Sequence, residues 1–231
     1  MFPDLSRRAE HLRERMEDPA ADRTRLFRTY REFALTNRVV ADWRCHYTEL
    51  IRPHLCGGET RTLLDVGFGG GDIPLALAAW ARRDRLALEI TGIETDERAL
   101  EFVSTLPPRQ GVTFRLDTLE NLCRNRRRFD FVIANHVLHH LDREALAPFR
   151  EQTEALTVRL AVFNDIARSP LAYALFALFA PVLLSRSSYS YEDGLTSIRR
   201  SFTRCELAAE MGQRWRVRNT PRFHLMGTFE P

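Results

Sequence analysis

A glycine-rich turn between an apolar run and a helical pattern constrains this chain more than any other feature. Residues 63–66 read Leu-Leu-Asp-Val, and residues 67–72 read Gly-Phe-Gly-Gly-Gly-Asp. A helical pattern, Ile-Pro-Leu-Ala-Leu-Ala, follows at residues 73–78. A strand, a tight turn and a helix in this order build ligand sites at the carboxyl edge of a parallel sheet. The glycines allow a sharp turn and close approach of a ligand, because they have no Cβ.

Acidic residues around this turn indicate the charge of the ligand. A dinucleotide site has the pattern G-x-G-x-x-G, and Asp72 stands where the third glycine should be. A pyrophosphate would lie close to Asp65 and Asp72, and like charges repel at short range. A P-loop needs a lysine, whereas all 34 basic residues of this chain are arginine. The turn therefore favours a cationic ligand such as S-adenosylmethionine, which carries a sulfonium and an ammonium group.

The stretch D-V-G-F-G-G-G-D resembles motif I of the class I S-adenosylmethionine-dependent methyltransferases. The resemblance covers roughly residues 60–230 and is to the small-molecule type, similar to the methyltransferases of ubiquinone and menaquinone biosynthesis. It implies an α/β fold, a Rossmann-like three-layer sandwich with a seven-stranded, mostly parallel sheet of order 3-2-1-4-5-7-6 and an antiparallel last strand. It also implies a first set of cofactor-binding residues: Asp65, Gly67, Phe68, Gly69, Gly71 and Asp72.

The rest of the chain alternates strand and helix patterns, which predicts a parallel sheet. After the glycine turn, the predicted parallel strands are Leu86–Glu94, Val112–Leu116, Phe129–Ala134 and Val158–Asn164. Residues 215–219 and 222–229 form a terminal pair joined by Thr220-Pro221. A strand joined to its neighbour by so short a turn must run antiparallel to it.

Further cofactor contacts are predicted where these strands end. Glu94 ends the second strand near the ~20-residue offset at which an acid binds ribose hydroxyls, and Thr95 follows it. The resemblance places Asp117 at the adenine amino group, with the Thr118 backbone beside it. The remaining two predicted contacts follow the fourth strand, which borders both methyl donor and acceptor: Asn135 and His136.

Three histidines follow the fourth strand in the segment Asn-His-Val-Leu-His-His-Leu, residues 135–141. Enzymes that methylate exocyclic amines of bases have N-P-P-Y or D-P-P-Y here, so this segment argues against nucleobase N-methylation. His136, nearest the strand end, is the predicted base. His139 and His140 are predicted to pack under the site, with His140 also a substrate-binding candidate. No metal site is predicted, since the histidines lack third and fourth ligands at a suitable spacing.

The ends of the domain are predicted to cover the acceptor. Residues 1–56 form a helical extension or cap, which either packs on the domain or contributes Tyr30 and Asn37 to the site. Residues 57–231 form the methyltransferase domain, with an apolar insertion or lid at 170–200. The segment 171–180 is apolar around the whole circumference of a helix, which predicts burial on more than one side. Two residues of this helix, Tyr173 and Phe176, are predicted to line the acceptor pocket. Asp165, the acid that ends the fifth strand, is the last predicted substrate-binding residue.

Composition bounds the setting of the protein. A net charge of +3 is too small to imply nucleic acid, and four scattered cysteines indicate free thiols in a reducing compartment. The N-terminus lacks an apolar signal region, and the longest apolar stretch, 171–184, is shorter than the ~20 residues that span a bilayer. We therefore expect a cytoplasmic protein, with peripheral membrane contact through an exposed apolar face as a variant. The oligomeric state stays open.

These observations predict an S-adenosylmethionine-dependent methyltransferase that acts on oxygen or carbon of a hydrophobic small molecule. The acceptor would be phenolic, polyketide or isoprenoid-like, because apolar walls select apolar or aromatic ligands. One alternative is an NAD(P)-dependent oxidoreductase, which Asp72 disfavours. Another is a catalytically inactive protein that binds S-adenosylmethionine without turnover.

Overall fold

A single seven-stranded sheet runs through the protein, whose computed structural model describes residues 3–231. The order is β3-β2-β1-β4-β5-β7-β6, as predicted. The strands are β1 Arg61–Val66, β2 Leu88–Glu94, β3 Val112–Leu116, β4 Phe129–Asn135, β5 Thr157–Ile166, β6 Trp215–Thr220 and β7 His224–Phe229. Strands β1 to β5 are mutually parallel, and β7 is antiparallel to both β5 and β6. The α/β fold class and the antiparallel last strand are confirmed.

Helices cover both faces of the sheet. They are α1 Arg23–Val40, α2 Trp43–His46, α3 Asp72–Arg83, α4 Glu97–Ser104, α5 Leu119–Arg124, α6 Arg143–Leu156, α7 Pro170–Leu183, α8 Ser190–Arg200 and α9 Arg204–Met211. Residues 15–17, 52–55 and 138–140 form 3₁₀ turns, and 47–51 a π-helical turn. One apolar cluster, around Phe163 and Trp215, lies between one face and α5, α6 and α9; a second, around Phe131 and Leu77, fills the other face. The result is the three-layer sandwich.

Several helices begin or end at residues that commonly cap helices. Asp96 and Asp142 cap α4 and α6, each accepting from the backbone N–H of a first-turn residue. Thr203 and Glu206 form the capping box of α9, and Gly212 ends that helix with a φ of +73°.

The N-terminal extension packs directly on the sheet domain. Tyr47 and Ile51 are fully buried in the same apolar cluster as Leu63 of β1. Helix α1, which precedes these residues, lies against the glycine turn so closely that a Cβ on Gly70 would be 2.8 Å from the carbonyl oxygen of Tyr30. The division into 1–56 and 57–231 stays a prediction, and these contacts describe how the two parts meet.

Helix α7 differs from its prediction. Burial on more than one side is wrong, since Leu178, Val182 and Leu183 are 67%, 84% and 75% exposed. The helix packs on α8, where the Phe176 ring lies over Gly194. An all-apolar sequence indicates that burial of the helix is favourable. How much of the helix surface is buried depends on how many neighbouring elements pack against it. Among residues 3–231, no helix combines the length and the apolar character that crossing a bilayer requires.

Candidate active site

The glycine turn at the end of β1 is held in a backbone conformation that favours glycine. Gly67, Gly69 and Gly71 have φ values of +76°, +48° and +72°, a region that residues with a Cβ adopt at a cost. The N–H of Gly71 donates to the carbonyl of Phe68 at 2.7 Å and closes the turn. Helix α3 then begins at Asp72, so the turn and the helix N-terminus face the same space above the sheet.

Three carboxylates, those of Asp65, Asp72 and Glu94, surround this turn, and no cationic side chain among residues 3–231 forms a salt bridge with them. Asp65 is 2% exposed, and among residues 3–231 its side chain has no hydrogen bond. Burial, with the charges of Asp72 and Glu94, raises the pKa of Asp65 well above its usual value. Burial also raises the pKa of Asp72 to about 6, although Asn37 Nδ2 donates to its carboxylate at 3.0 Å. An unpaired, buried acidic cluster fits a cationic ligand, because a positive charge would restore the lost solvation. The residues present therefore fit the sulfonium and ammonium of S-adenosylmethionine.

Glu94 connects the end of β2 to the glycine turn. Its carboxylate accepts from the N–H of Thr95 at 2.8 Å and from the N–H of Gly69 at 3.3 Å. Each carboxylate oxygen can accept more than one hydrogen bond, so both keep capacity for hydroxyl donors. This leaves Glu94 able to bind the ribose hydroxyls that the sequence assigned to it.

A cavity of about 510 Å³ lies above the carboxyl ends of β1, β2 and β4, and most predicted site residues line it. From the cofactor set these are Asp65, Gly67, Phe68, Gly69, Asp72, Glu94, Thr95, Asn135 and His136. From the substrate set they are Tyr30, Asn37, His140 and Phe176. The volume lies within the ~300–1,000 Å³ typical of small-molecule sites.

The other predicted residues lie elsewhere. Asp117 and Thr118 line a neighbouring cavity that shares Gly67, Glu94 and Thr95 with the first. Gly71 faces away from both cavities, towards the side chains of Val103 and Phe114. Two substrate candidates are not among the residues that line either cavity: Asp165 and Tyr173. Asp165 does not line the cavity because its side chain contacts the buried His139. On α7, Phe176 rather than Tyr173 lines the cavity.

His136 lies in the cavity in an unusual state. It has a φ of +55°, and its Nε2 lies 2.8 Å from Nε2 of His224 on β7. Burial, reinforced by His224, lowers the pKa of His136 to about 3. A group with so low a pKa is neutral at physiological pH but accepts a proton poorly. The structure thus places His136 at the site and weakens its assignment as the base.

A buried ionic cluster forms the far end of the cavity. His139, 2% exposed, places Nδ1 2.6 Å from Asp165 Oδ1 and Nε2 3.3 Å from Glu14 Oε1. Although burial opposes the charge, Asp165 and Glu14 raise the pKa of His139 to about 10. Burial likewise opposes ionisation of Glu14, yet His140 and His139 lower its pKa to about 2. His139 is therefore part of a charged network rather than a simple packing residue.

Sequence reasoning missed the N-terminal contributors to this end of the cavity. The carboxylate of Asp193 on α8 accepts from the backbone N–H groups of Arg15 and Met16 at 2.7 and 3.1 Å. Burial, then the charge of Glu14, raises the pKa of Asp193 to about 7. Glu14, Met16 and Glu17 thereby become part of the cavity lining. No local motif marks these residues, because they reach the site through long-range contacts.

The chain is similar to known methyltransferases in part of its sequence and in its fold. Residues 64–156 match a family model described as a methyltransferase domain. The plantazolicin methyltransferase BpumL in complex with SAH shares 14% identity over 94% of this chain and 92% of that one, with a TM-score of 0.65. Human N-acetylserotonin methyltransferase in complex with SAM shares 11% identity over 90% and 56%, with a TM-score of 0.65.

A third similar structure is magnesium protoporphyrin IX methyltransferase from Synechocystis PCC 6803 with bound SAH. It shares 16% identity over 85% of this chain and 83% of that one, with a TM-score of 0.50. No curated protein matches the sequence. At these identities the structural likeness shows a common fold.

Proposed function

We propose that this chain, whose residues 64–156 match a methyltransferase-domain model, is a class I S-adenosylmethionine-dependent methyltransferase that methylates oxygen or carbon of a hydrophobic small molecule. The acceptor would be phenolic, polyketide or isoprenoid-like. The observation that carries the proposal is the composition of the cavity, which is acidic at the glycine turn and has an apolar wall and a charged floor at its other end.

The acidic end would hold the cofactor. Asp65 and Asp72 supply negative charge for the sulfonium and ammonium groups, and Glu94 keeps acceptor capacity for the ribose hydroxyls. When bound, the cofactor supplies a methyl group already activated by the positive sulfur. The protein has to align the acceptor with that methyl group and exclude water, which can contribute roughly 7–11 kcal/mol.

The opposite end would hold the acceptor. Phe176 and Leu184 of the insertion supply its apolar wall. Tyr30 and Phe33 of α1, whose ring centroids are 6.0 Å apart, line the cavity beside the glycine turn. Its floor carries His140 and other ionisable groups. A ligand with an apolar body and one polar reactive group matches both surfaces, which favours a phenol or quinol over a sugar or a nucleotide.

Proton removal depends on the acceptor. A weakly acidic hydroxyl or carbon acid needs a base, whereas alignment alone suffices for a stronger nucleophile. His136, the base predicted from the sequence, is poorly suited because of its pKa of about 3. Asp193 lines the same cavity with a pKa near 7, the value that suits a base at neutral pH. We therefore assign the role to Asp193 for an acceptor that requires a base.

The exposed face of α7 supports peripheral membrane contact as part of the proposal. Leu178, Val182 and Leu183 form an apolar surface on the helix that also supplies Phe176 to the cavity. A helix of this kind can rest in the headgroup region of a bilayer, where an isoprenoid-like acceptor would be found. The cytoplasmic location stays a prediction.

A methyl-transfer screen with labelled donor tests the proposed function. Apolar phenols, quinol precursors, proteins and nucleic acids would be offered in parallel, with Glu94→Ala as a variant of weakened cofactor binding. At limiting donor concentration we expect label in at least one apolar acceptor and much less of it with the variant. Robust labelling of tRNA or a protein, with no apolar acceptor labelled, would refute the substrate assignment. Cofactor binding without turnover on any acceptor would favour the inactive binding protein.

A further inference from the structure

Two adjacent histidines on the floor of the cavity are oriented in the same way. His139 and His140 belong to the 3₁₀ turn at 138–140 that follows β4. Asp165 Oδ1 lies 2.6 Å from Nδ1 of His139, and Glu17 Oε1 is hydrogen-bonded to Nδ1 of His140. A carboxylate on Nδ1 keeps the proton there and leaves the lone pair of a neutral imidazole on Nε2.

The Nε2 atoms of both rings approach one carboxylate. Nε2 of His139 lies 3.3 Å from Oε1 of Glu14, and Nε2 of His140 lies 3.9 Å from Oε2 of the same residue. One ligand atom from each of the three residues lies within 4.8 Å of the others. Two imidazole nitrogens and a carboxylate oxygen are a donor set that binds divalent transition metals and leaves positions open for a substrate.

We propose that Glu14, His139 and His140 form a binding site for a divalent transition metal ion such as Zn²⁺. Asp165 and Glu17 are the outer residues that orient the imidazole ligands, as carboxylates do in known metal sites. The sequence predicted no metal because Glu14, the third ligand, lies far from the histidines along the chain.

Other residues hold these ligands in place. Arg200, 2% exposed, donates to the backbone carbonyls of His139 at 3.1 Å and His140 at 2.9 Å, and pairs with Glu17. The Ser197 hydroxyl donates to Oε1 of Glu14 at 2.6 Å. Such support reduces the reorganisation that metal binding would require.

The local charge also favours a dication. Four carboxyl groups meet here, those of Glu14, Glu17, Asp165 and Asp193. Two guanidinium groups, from Arg200 and Arg8, lie beside them and bond to backbone carbonyls of the histidine segment. A divalent ion would take the place of the proton that His139 carries, and the surrounding carboxylates would then balance the charge of the metal.

The site faces the acceptor end of the cavity, since its three ligands all line that cavity. Resting on the proposed function, we infer that the metal binds an acceptor oxygen through its open positions. A metal bound here would make an acceptor hydroxyl more acidic, so that it gives its proton to Asp193 more readily, and would fix its oxygen in position for the methyl group.

Calorimetry on the full chain, dialysed against a chelator and without donor or acceptor, tests metal binding directly. We expect one equivalent of Zn²⁺ to bind. Glu14→Gln and His140→Asn should each weaken binding by about 100-fold or more, and Glu17→Gln by about 10- to 100-fold. His54→Asn is the matched control, because this exposed histidine lies outside the cluster, and it should bind as the wild type does.

A second probe separates this site from binding by cysteines. Co²⁺ at the site should give ligand-field absorption without thiolate charge-transfer bands, although Cys56 and Cys205 are exposed. The proposal is overturned if Zn²⁺ does not bind, if thiolate bands appear, or if the ligand variants bind like His54→Asn. Circular dichroism checks folding, and if the ligand variants unfold, the partly exposed Glu17→Gln decides. Because no turnover is measured, failure here leaves the proposed function standing, and a failed acceptor screen leaves the metal site standing.

Discussion

Replacing Asp72 by Asn should stabilise the protein without ligand and weaken its binding of S-adenosylmethionine. The pKa of Asp72 is raised from 3.8 to about 6 by burial at the start of α3. The folded state therefore keeps a proton that the unfolded chain has lost between these two values. Stability falls as the pH rises through this window and stays reduced above it, which is the reverse of the behaviour of a salt-bridged carboxylate.

The expected change in the free energy of unfolding follows from the pKa shift of Asp72. A rise of about two pKa units corresponds to roughly 3 kcal/mol above pH 6. The substitution also removes a negative charge at a helix N-terminus, which reduces the gain in stability by about 0.3–1 kcal/mol. We expect Asp72→Asn to gain about 2–3 kcal/mol at pH 8, or roughly 4–12 °C in Tm for a chain of this size. At pH 3.5 the gain should nearly vanish, because the wild-type carboxyl is then protonated in the folded state and mostly protonated in the unfolded chain.

Cofactor affinity should change in the opposite direction. A unit charge about 8 Å from a cation at an effective dielectric constant of about 20 contributes about 2 kcal/mol, or roughly 30-fold in Kd. Chemical unfolding from pH 3.5 to 8 and calorimetry with S-adenosylmethionine measure both effects. Asp84→Asn, at the other end of α3, is the control of opposite sign, since Tyr47 and Arg52 hold the pKa of Asp84 low against the effect of burial. A variant less stable than the wild type at pH 8, or one with unchanged affinity, would refute the reasoning.

Three further predictions concern the same end of the cavity. Glu94→Ala should lower S-adenosylmethionine affinity roughly 10- to 150-fold by calorimetry, through the loss of about 1.5–3 kcal/mol, whereas Glu89→Ala, exposed on the same strand, should not. Gly70→Ala should lose about 1–3 kcal/mol in chemical unfolding, because its Cβ would lie 2.8 Å from the Tyr30 carbonyl oxygen; a loss no larger than that of Gly227→Ala, whose Cβ would meet no atom closer than 3.4 Å, would count against this packing. NAD should not bind in a calorimetric titration, and tight NAD binding without a response to S-adenosylmethionine would overturn the cofactor assignment.

Local patterns in the sequence determined the framework of this protein. The order of strands and helices, the glycine turn and the acid at the end of β2 all follow from residues that are close together along the chain. These features depend on interactions within a few residues, so they can be predicted directly from the sequence. Examples are glycine at a positive φ, caps at helix termini and alternating apolar runs. The parallel order then brings the strand ends to one edge, which is why Asp65, Glu94 and Asn135 meet in one cavity.

Only the tertiary structure decided what surrounds the acceptor. Glu14 and Asp193 enter the cavity through contacts between distant segments, and His136 becomes a poor base because burial and then His224 lower its pKa. The apolar pattern of α7 left open how many sides would be covered, and the fold provides too few neighbours to bury Val182. Burial, pKa and ligand convergence depend on which distant groups are brought together, and these properties are set by packing rather than by any local run of residues.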